Sequence, residues 1–237
     1  MILKRLAEGI KNQDWFVVTI EIMIVVIGIF IGLQVNDWNE TRKNHNLEAR
    51  FMSELTAEIH REIDSLENKI NRINKRIDIL VDSIIIIQNN DPSSRLSHEQ
   101  CLGILLSHIV IMDVDFVGLL SYAALSETGN IGIISDFNLH SALLAFERQV
   151  KFRATRTAYM GSDMANLTDN HADSFPRTLQ PGQMVGQPKC QMDLIRSNQT
   201  VKNKLQSNLG RINALLSMLK SQEDELEALL SLIGVTK

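Results

Sequence analysis

Few residues in this chain stand where they could do chemistry, and the first is Glu21, the one charge in the run WFVVTIEIMIVVIGIFIGLQV over residues 15–35. An ionised carboxylate in such apolar surroundings needs a partner or a proton. On a helix turning about 100° per residue, Gly28 and Gly32 fall within about 20° of Glu21, so one face carries an acid and a Gly-x-x-x-Gly pair. Such a face suits close helix association, and a homo-oligomer is the expectation. Glu21 is then either a proton or ion relay, or a protonated acid that bonds a neighbouring helix or snorkels.

The other candidates are Cys101 and Cys190, the two cysteines, and His171 between Asp169 and Asp173. A solvated polar turn explains the last group more simply than a metal site does. None of His45, His60, His98, His108, His140 or His171 has a Glu three residues before it, so the Glu-x-x-His pairs of a di-iron bundle are absent. The sequence also lacks a phosphate-cradling Gly-x-x-x-x-Gly-Lys loop, His-Glu-x-x-His, Cys-x-x-Cys and a Gly-x-Ser-x-Gly elbow. The expectation is a protein without cofactor, metal or catalytic residues. Net charge is -4, with 24 basic and 28 acidic residues spread along the chain, which argues against a nucleic-acid partner.

Residues 15–35 are apolar over 21 positions, enough at about 1.5 Å per residue to span a hydrocarbon core of about 30 Å. Trp15 and Trp38 flank the run as interfacial anchors. A buried core helix seldom stays apolar on every face for so long, and the following QVNDWNE lacks the small-residue site of a cleaved signal peptide. Residues 1–14 read as a short interfacial helix. Lys4, Arg5 and Lys11 before the span balance Arg42, Lys43 and Arg50 after it. A short basic tail is easier to retain than to translocate, so the N-terminus is placed in the cytoplasm and the domain in a bacterial periplasm, anchored in the inner membrane.

Beyond the span, residues 36–237 read as one all-α domain: aromatic residues are 5% of the chain and prolines number four. Ile59, Ile63, Leu66, Ile70, Ile73, Ile77, Leu80, Ile84 and Ile87 recur at alternating steps of four and three, a coiled-coil seam. Glu62, Asp64, Lys69, Arg72 and Lys75 between them make a solvated face. Asn89 to Pro92 end this helix. A second helix is expected from a Ser97 cap to about Ser126; Asp113 and Asp115 near its middle argue against a second membrane span. Gly129, Asn130 and Gly132 break the chain, and Ser135 or Asp136 caps a third helix to about Leu167. The stretch 168–190, with three of the four prolines, is expected to be a surface loop and a place for a protein partner. The last helix, 193–233, has its seam at Leu205, Leu209, Ile212, Leu216, Leu219, Leu226, Leu230 and Ile233, with Glu223 in one core slot.

These elements make an antiparallel up-down-up-down four-helix bundle whose first and last helices are about 60 Å long. Cys101 then starts helix two and Cys190 precedes helix four, both at the end far from the membrane. They either form a bridge closing a loop of about 90 residues, worth about 4–5 kcal/mol in the chain-entropy model, or remain two free thiols.

Two stretches carry a resemblance. EIMIVVIGIFIGLQVNDWNETRKN (21–44) resembles the start of a bacterial family of uncharacterised single-pass membrane proteins, of the domain of unknown function 6090 type, with its Glu, apolar run and Leu-Gln-hydrophobic-Asn-x-Trp-Asn. SYAALSETGNIGIISDFNLHSALLAF (121–146) is similar to that family's second signature, a Tyr-x-x-Leu turn into a helix, with His140 where Arg is common. The resemblance implies a membrane-anchored helical domain and no catalytic residues. The expected role is a non-enzymatic interaction or scaffold protein, oligomeric through the transmembrane helix. The alternatives are an extracytoplasmic ligand-sensing bundle and an ion-coupled or channel-like assembly using Glu21.

Overall fold

The computed structural model describes residues 15–89, 91–178 and 187–235. The chain is all-helical, with one antiparallel pairing of two-residue strands, β1 (Arg177–Thr178) and β2 (Gln187–Pro188), among the described residues. It divides into two units, Met1–Phe51 and Met52–Lys237.

The first unit is the start of α1 (Trp15–Gln88). From Ile22 onward this helix is long and apolar enough to cross a membrane, by length and composition. The interfacial helix expected over 1–14 lies outside the described residues. Trp15 and Glu21 lie on α1, but their side chains fall outside that set.

The second unit holds the rest of α1, then α2 (His98–Leu106), α3 (Leu120–Glu127), α4 (Phe137–Ser162), α5 (Leu167–Asn170), α6 (Met192–Ser197) and α7 (Gln199–Val235). The starts of α2 and α4 follow the capping rules. Ser97 accepts from the Gln100 backbone N–H while the Gln100 side chain takes the Ser97 N–H, and Asp136 accepts from Asn138 and Leu139. Asp91 ends α1 in a side-chain turn, its carboxylate accepting from the Ser93 N–H and from the hydroxyls of Ser93 and Ser94. Those bonds, the Ser93 hydroxyl first, hold its pKa below the usual carboxylate value.

The buried residues of α4 are Leu139, Leu143, Phe146, Val150, Arg153, Thr157 and Met160, alternating steps of four and three. Those of α7 keep the same beat: Val201, Leu205, Asn208, Ile212, Leu215, Leu219, Gln222, Leu226, Leu229 and Ile233. This corrects the expected seam. Leu209, Leu216, Glu223 and Leu230 are only half-buried, and Asn208, Leu215, Gln222 and Leu229, one position earlier, take the core slots. On α1, Ile59, Leu66, Ile70, Ile73, Leu80, Ile84 and Ile87 are buried, while Ile63 and Ile77 are half-exposed.

The helix expected over 97–126 is not one helix. It is α2, a 3-10 turn (Ser107–Ile109), an irregular stretch to Leu119 and α3. Over 114–117 burial alternates, Val114 and Phe116 inside, Asp115 and Val117 outside, as extended chain does. Asn208 of α7 ties this break to the chain just after α4. Its side-chain N–H groups donate to the Ser107 hydroxyl at 3.0 Å and the Ala165 carbonyl at 2.9 Å, and its oxygen accepts the Ala165 N–H at 2.9 Å. One fully buried amide thus satisfies backbone that a helix would otherwise pair, and α4 stops at Ser162 rather than near Leu167. The expected last helix is also two, α6 and α7, parted at Asn198.

Candidate functional site

Three places on the chain could do something beyond holding the fold. On the first unit, the described large apolar side chains between Ile20 and Val35, and Trp38 beyond them, are exposed. A Cβ added at Gly28 or Gly32 would meet nothing within 4 Å, so the face they mark is open.

The second place is the outward face of α4. Phe137, Leu144, Phe152 and Tyr159 fall within about 80° of one another on a helical projection. Their exposures are 76%, 47%, 58% and 71%. Exposed Ser141, Arg148 and Thr155 are interleaved with them. Aromatic side chains beside Arg are the composition of protein-binding surfaces. Next to this stripe, Ala154, Ala158 and Gly161 of α4 face Ile111, Met112 and Phe116 across a groove of about 430 Å³. The stripe was missed in the sequence because α4 was read only for its buried seam; the recurrence of apolar residues at steps of seven and eight was the signal.

The third place is where α1 meets residues 107–121. Glu58 accepts from the backbone N–H groups of Leu120 and Ser121, at 2.6 and 3.0 Å, and from the Ser121 hydroxyl. Glu147 of α4 accepts the Leu119 N–H at 2.9 Å. The N-cap residue of α3, Leu119, has no capping side chain, so two carboxylates from two long helices satisfy its first donors. A Cβ on Gly118 would come 2.5 Å from the Glu147 carboxylate, so a side chain there would push that carboxylate off the Leu119 N–H. The same carboxylate adds to burial in raising the Tyr122 pKa. Nothing in the sequence pairs Glu58 with residues 62 positions away.

Further along α1 the charged face expected to be solvated is partly covered. The Lys69 and Glu62 side chains are 20% and 27% exposed and 3.8 Å apart. Burial raises the Glu62 pKa above its usual value, with Lys69 opposing and Glu58 adding. Arg76 lies 3.6 Å from Asp113.

Cys101 and Cys190 are joined in a disulfide with Cα atoms 5.8 Å apart. The stretch 168–190, expected as a surface loop, is partly core: Thr168, Ser174 and Phe175 are buried, Phe175 at 1% exposure. An aromatic after a run of polar residues was the available signal. Residues 179–186 lie outside the described set. His171 is half-buried, its pKa lowered by burial and then by Lys204, and Asp169 faces Arg177 at 3.9 Å. Among the described residues no three His, Cys, Asp or Glu side chains are grouped to hold a metal.

The class defined so far is an all-helical protein with a long apolar N-terminal helix. Residues 21–96 match a family of unknown function, DUF6090. That match takes in the first of the two resembling stretches and ends before the second begins at Ser121. No curated protein and no solved structure matches the chain.

Proposed function

We propose that this is a non-enzymatic, single-pass membrane protein that anchors a helical interaction domain to the bacterial inner membrane. The observation that carries the reading is the run of exposed apolar side chains from Ile20 to Val35, a surface that needs lipid or another helix to cover it. Residues 15–35 span the bilayer, with the N-terminus in the cytoplasm and the domain in the periplasm. The Cys101–Cys190 bridge supports that side, because such bonds persist in oxidising compartments. The open face at Gly28 and Gly32, with Glu21, associates with a second copy, and the aromatic stripe of α4 takes a protein partner.

In this reading the domain is an antiparallel bundle, with residues 98–127 in place of a fourth long helix. Arg153 with Glu225 and Asp163 with Arg211 support opposite directions for α4 and α7. Glu67 acting on Glu223 supports the same for α1 and α7, and Arg196 of α6 on the Ile86 carbonyl places the chain just before α7 beside the end of α1.

The test is cross-linking in intact cells, with parallel labelling of thiols by a membrane-impermeant reagent. A cross-linked self-pair weakened by Gly28→Leu with Gly32→Leu, a partner lost with Phe152→Ser and Tyr159→Ser, and thiols labelled only after reduction are expected. Free thiols reached only after lysis, or a chain that cross-links to nothing, would sink the reading.

A further inference from the structure

We propose that the cleft between α1 and the turn at residues 110–114 binds a phosphate-type dianion, held by Arg72 and Arg76 with Lys69 behind them. The site is independent of which side of the membrane the domain occupies. Lys69, Arg72 and Arg76 follow one another at i, i+3 and i+7, which puts their Cβ atoms within about 60° on one face of α1. Val110, Asp113 and Val114 face them across a cavity of about 180 Å³.

The local charges do not cancel. Lys69 has Glu62 at 3.8 Å and Arg76 has Asp113 at 3.6 Å. Both separations exceed the roughly 2.7–2.9 Å of a direct charge-assisted hydrogen bond, so neither cation is saturated by its carboxylate. Arg72 makes no hydrogen bond or ion pair among the described residues. Within the lining of the cleft three cations stand against one carboxylate, Asp113, while Glu99 lines an adjoining cavity with Arg76; a guanidinium offers five N–H donors in a fork that matches a phosphate edge.

The surroundings strengthen the attraction. Ile73, Val110 and Val114 contribute apolar wall, and Lys69 is mostly covered. Charges in such a cleft act through a lower effective dielectric than on an open helix face. A water occupies about 30 Å³ of liquid, so the cavity holds about six waters' worth of space. That is room for a tetrahedral oxyanion with part of its hydration. Asp113 is 60% exposed and on a turn, so a dianion that takes Arg76 displaces its carboxylate toward solvent.

The phosphate can come from a soluble ligand or from a lipid headgroup, and the experiment separates them. The full chain in nanodiscs of neutral phosphatidylcholine is titrated with inorganic phosphate at ionic strength held constant with sodium chloride, read by calorimetry. A second arm dopes the nanodiscs with phosphatidic acid and follows amide exchange across residues 69–76 and 110–114. Saturable phosphate binding marks a soluble source, and protection only with phosphatidic acid marks a lipid source. In either arm Arg72→Gln should weaken the response at least about tenfold, as loss of a charged hydrogen bond requires. Asp113→Asn should strengthen it by freeing Arg76, and Lys75→Gln, outside the cleft, should leave it unchanged. Melting of each variant without phosphate checks that it folds. No response in either arm, or one that Arg72→Gln and Lys75→Gln leave equally intact, overturns the proposal.

Discussion

The contact of α4 with α7 and the contact of α1 with residues 107–121 are held together in different ways. Between α4 and α7 two unbroken seams meet, and side chains such as Leu143, Leu215 and Leu219 are wholly buried. Polar residues intrude there at core slots: Arg153, bonded to Glu225 and Ser221, Asn208, bonded to Ser107 and Ala165, and Thr157 and Gln222, whose polar atoms meet no partner among the described residues. Against α1 the irregular segment has no seam. It is pinned to α1 by the Glu58 carboxylate on backbone N–H groups and by the looser Arg76–Asp113 pair, while Glu147 reaches the same segment from α4. The regular contact is strong because it removes apolar area from water. The irregular one leaves clefts, because directional polar bonds fix points and not surfaces.

The largest break in this comparison should come from the seam. Leu219→Ala, at a site with no exposure, is expected to cost about 3 kcal/mol, read as a lower urea midpoint by circular dichroism. Next is Arg153→Ala, at about 2 kcal/mol, because it strands the partly buried Glu225. Arg153→Met, which keeps the volume but also strands Glu225, should cost nearly as much; a clearly smaller loss would mean that the packing of the Arg153 chain matters and its charge does not.

On the irregular side Glu58→Ala should cost about 1–2 kcal/mol. Its signature is local: amide exchange at Leu120 and Ser121 rises more than at the α7 seam. Uniform exchange would show that the two contacts unfold as one. Gln222, fully buried with neither amide atom partnered among the described residues, sharpens the comparison from the other direction. Gln222→Leu should stabilise the domain by about 1 kcal/mol, and destabilisation would reveal a partner for that amide.

The smallest effect belongs to Glu223, whose pKa is raised by burial, then by Glu67, Glu227 and Asp224, with Lys220 opposing. A carboxyl with a raised folded pKa favours folding while protonated, below the ordinary value of 4.5, and loses that contribution as pH rises through its folded value. Glu223→Gln should therefore raise the melting temperature slightly at neutral pH and leave it unchanged in acid. A gain that persists in acid would assign it to packing.

Local rules were legible in the sequence. The apolar run, the caps at Ser97 and Asp136, the turn at Asp91 and the beat of the α1 seam all follow from residues within a few positions of one another. Composition and period settle such features because the interactions behind them are local. The seam of α7 fell where expected at Leu205, Ile212, Leu219, Leu226 and Ile233, and was misplaced by one residue at the slots between them, where Leu209, Leu216 and Leu230 look more apolar than Asn208 and Gln222. Only the tertiary structure supplies what Asn208 bonds, the backbone of Ala165 and the hydroxyl of Ser107, and so which face turns inward. The same holds for the helix expected over 97–126: its residues are apolar enough for a buried helix, and the alternation at 114–117 was too short to outweigh them. Glu58 and Glu147, arriving from distant helices, bind the N–H groups of Leu119, Leu120 and Ser121 that a continuous helix would have paired internally. Sequence determined where helices form, because propensity and period are local; tertiary contact decided where they stop, because an N–H group takes its best available partner at any distance along the chain.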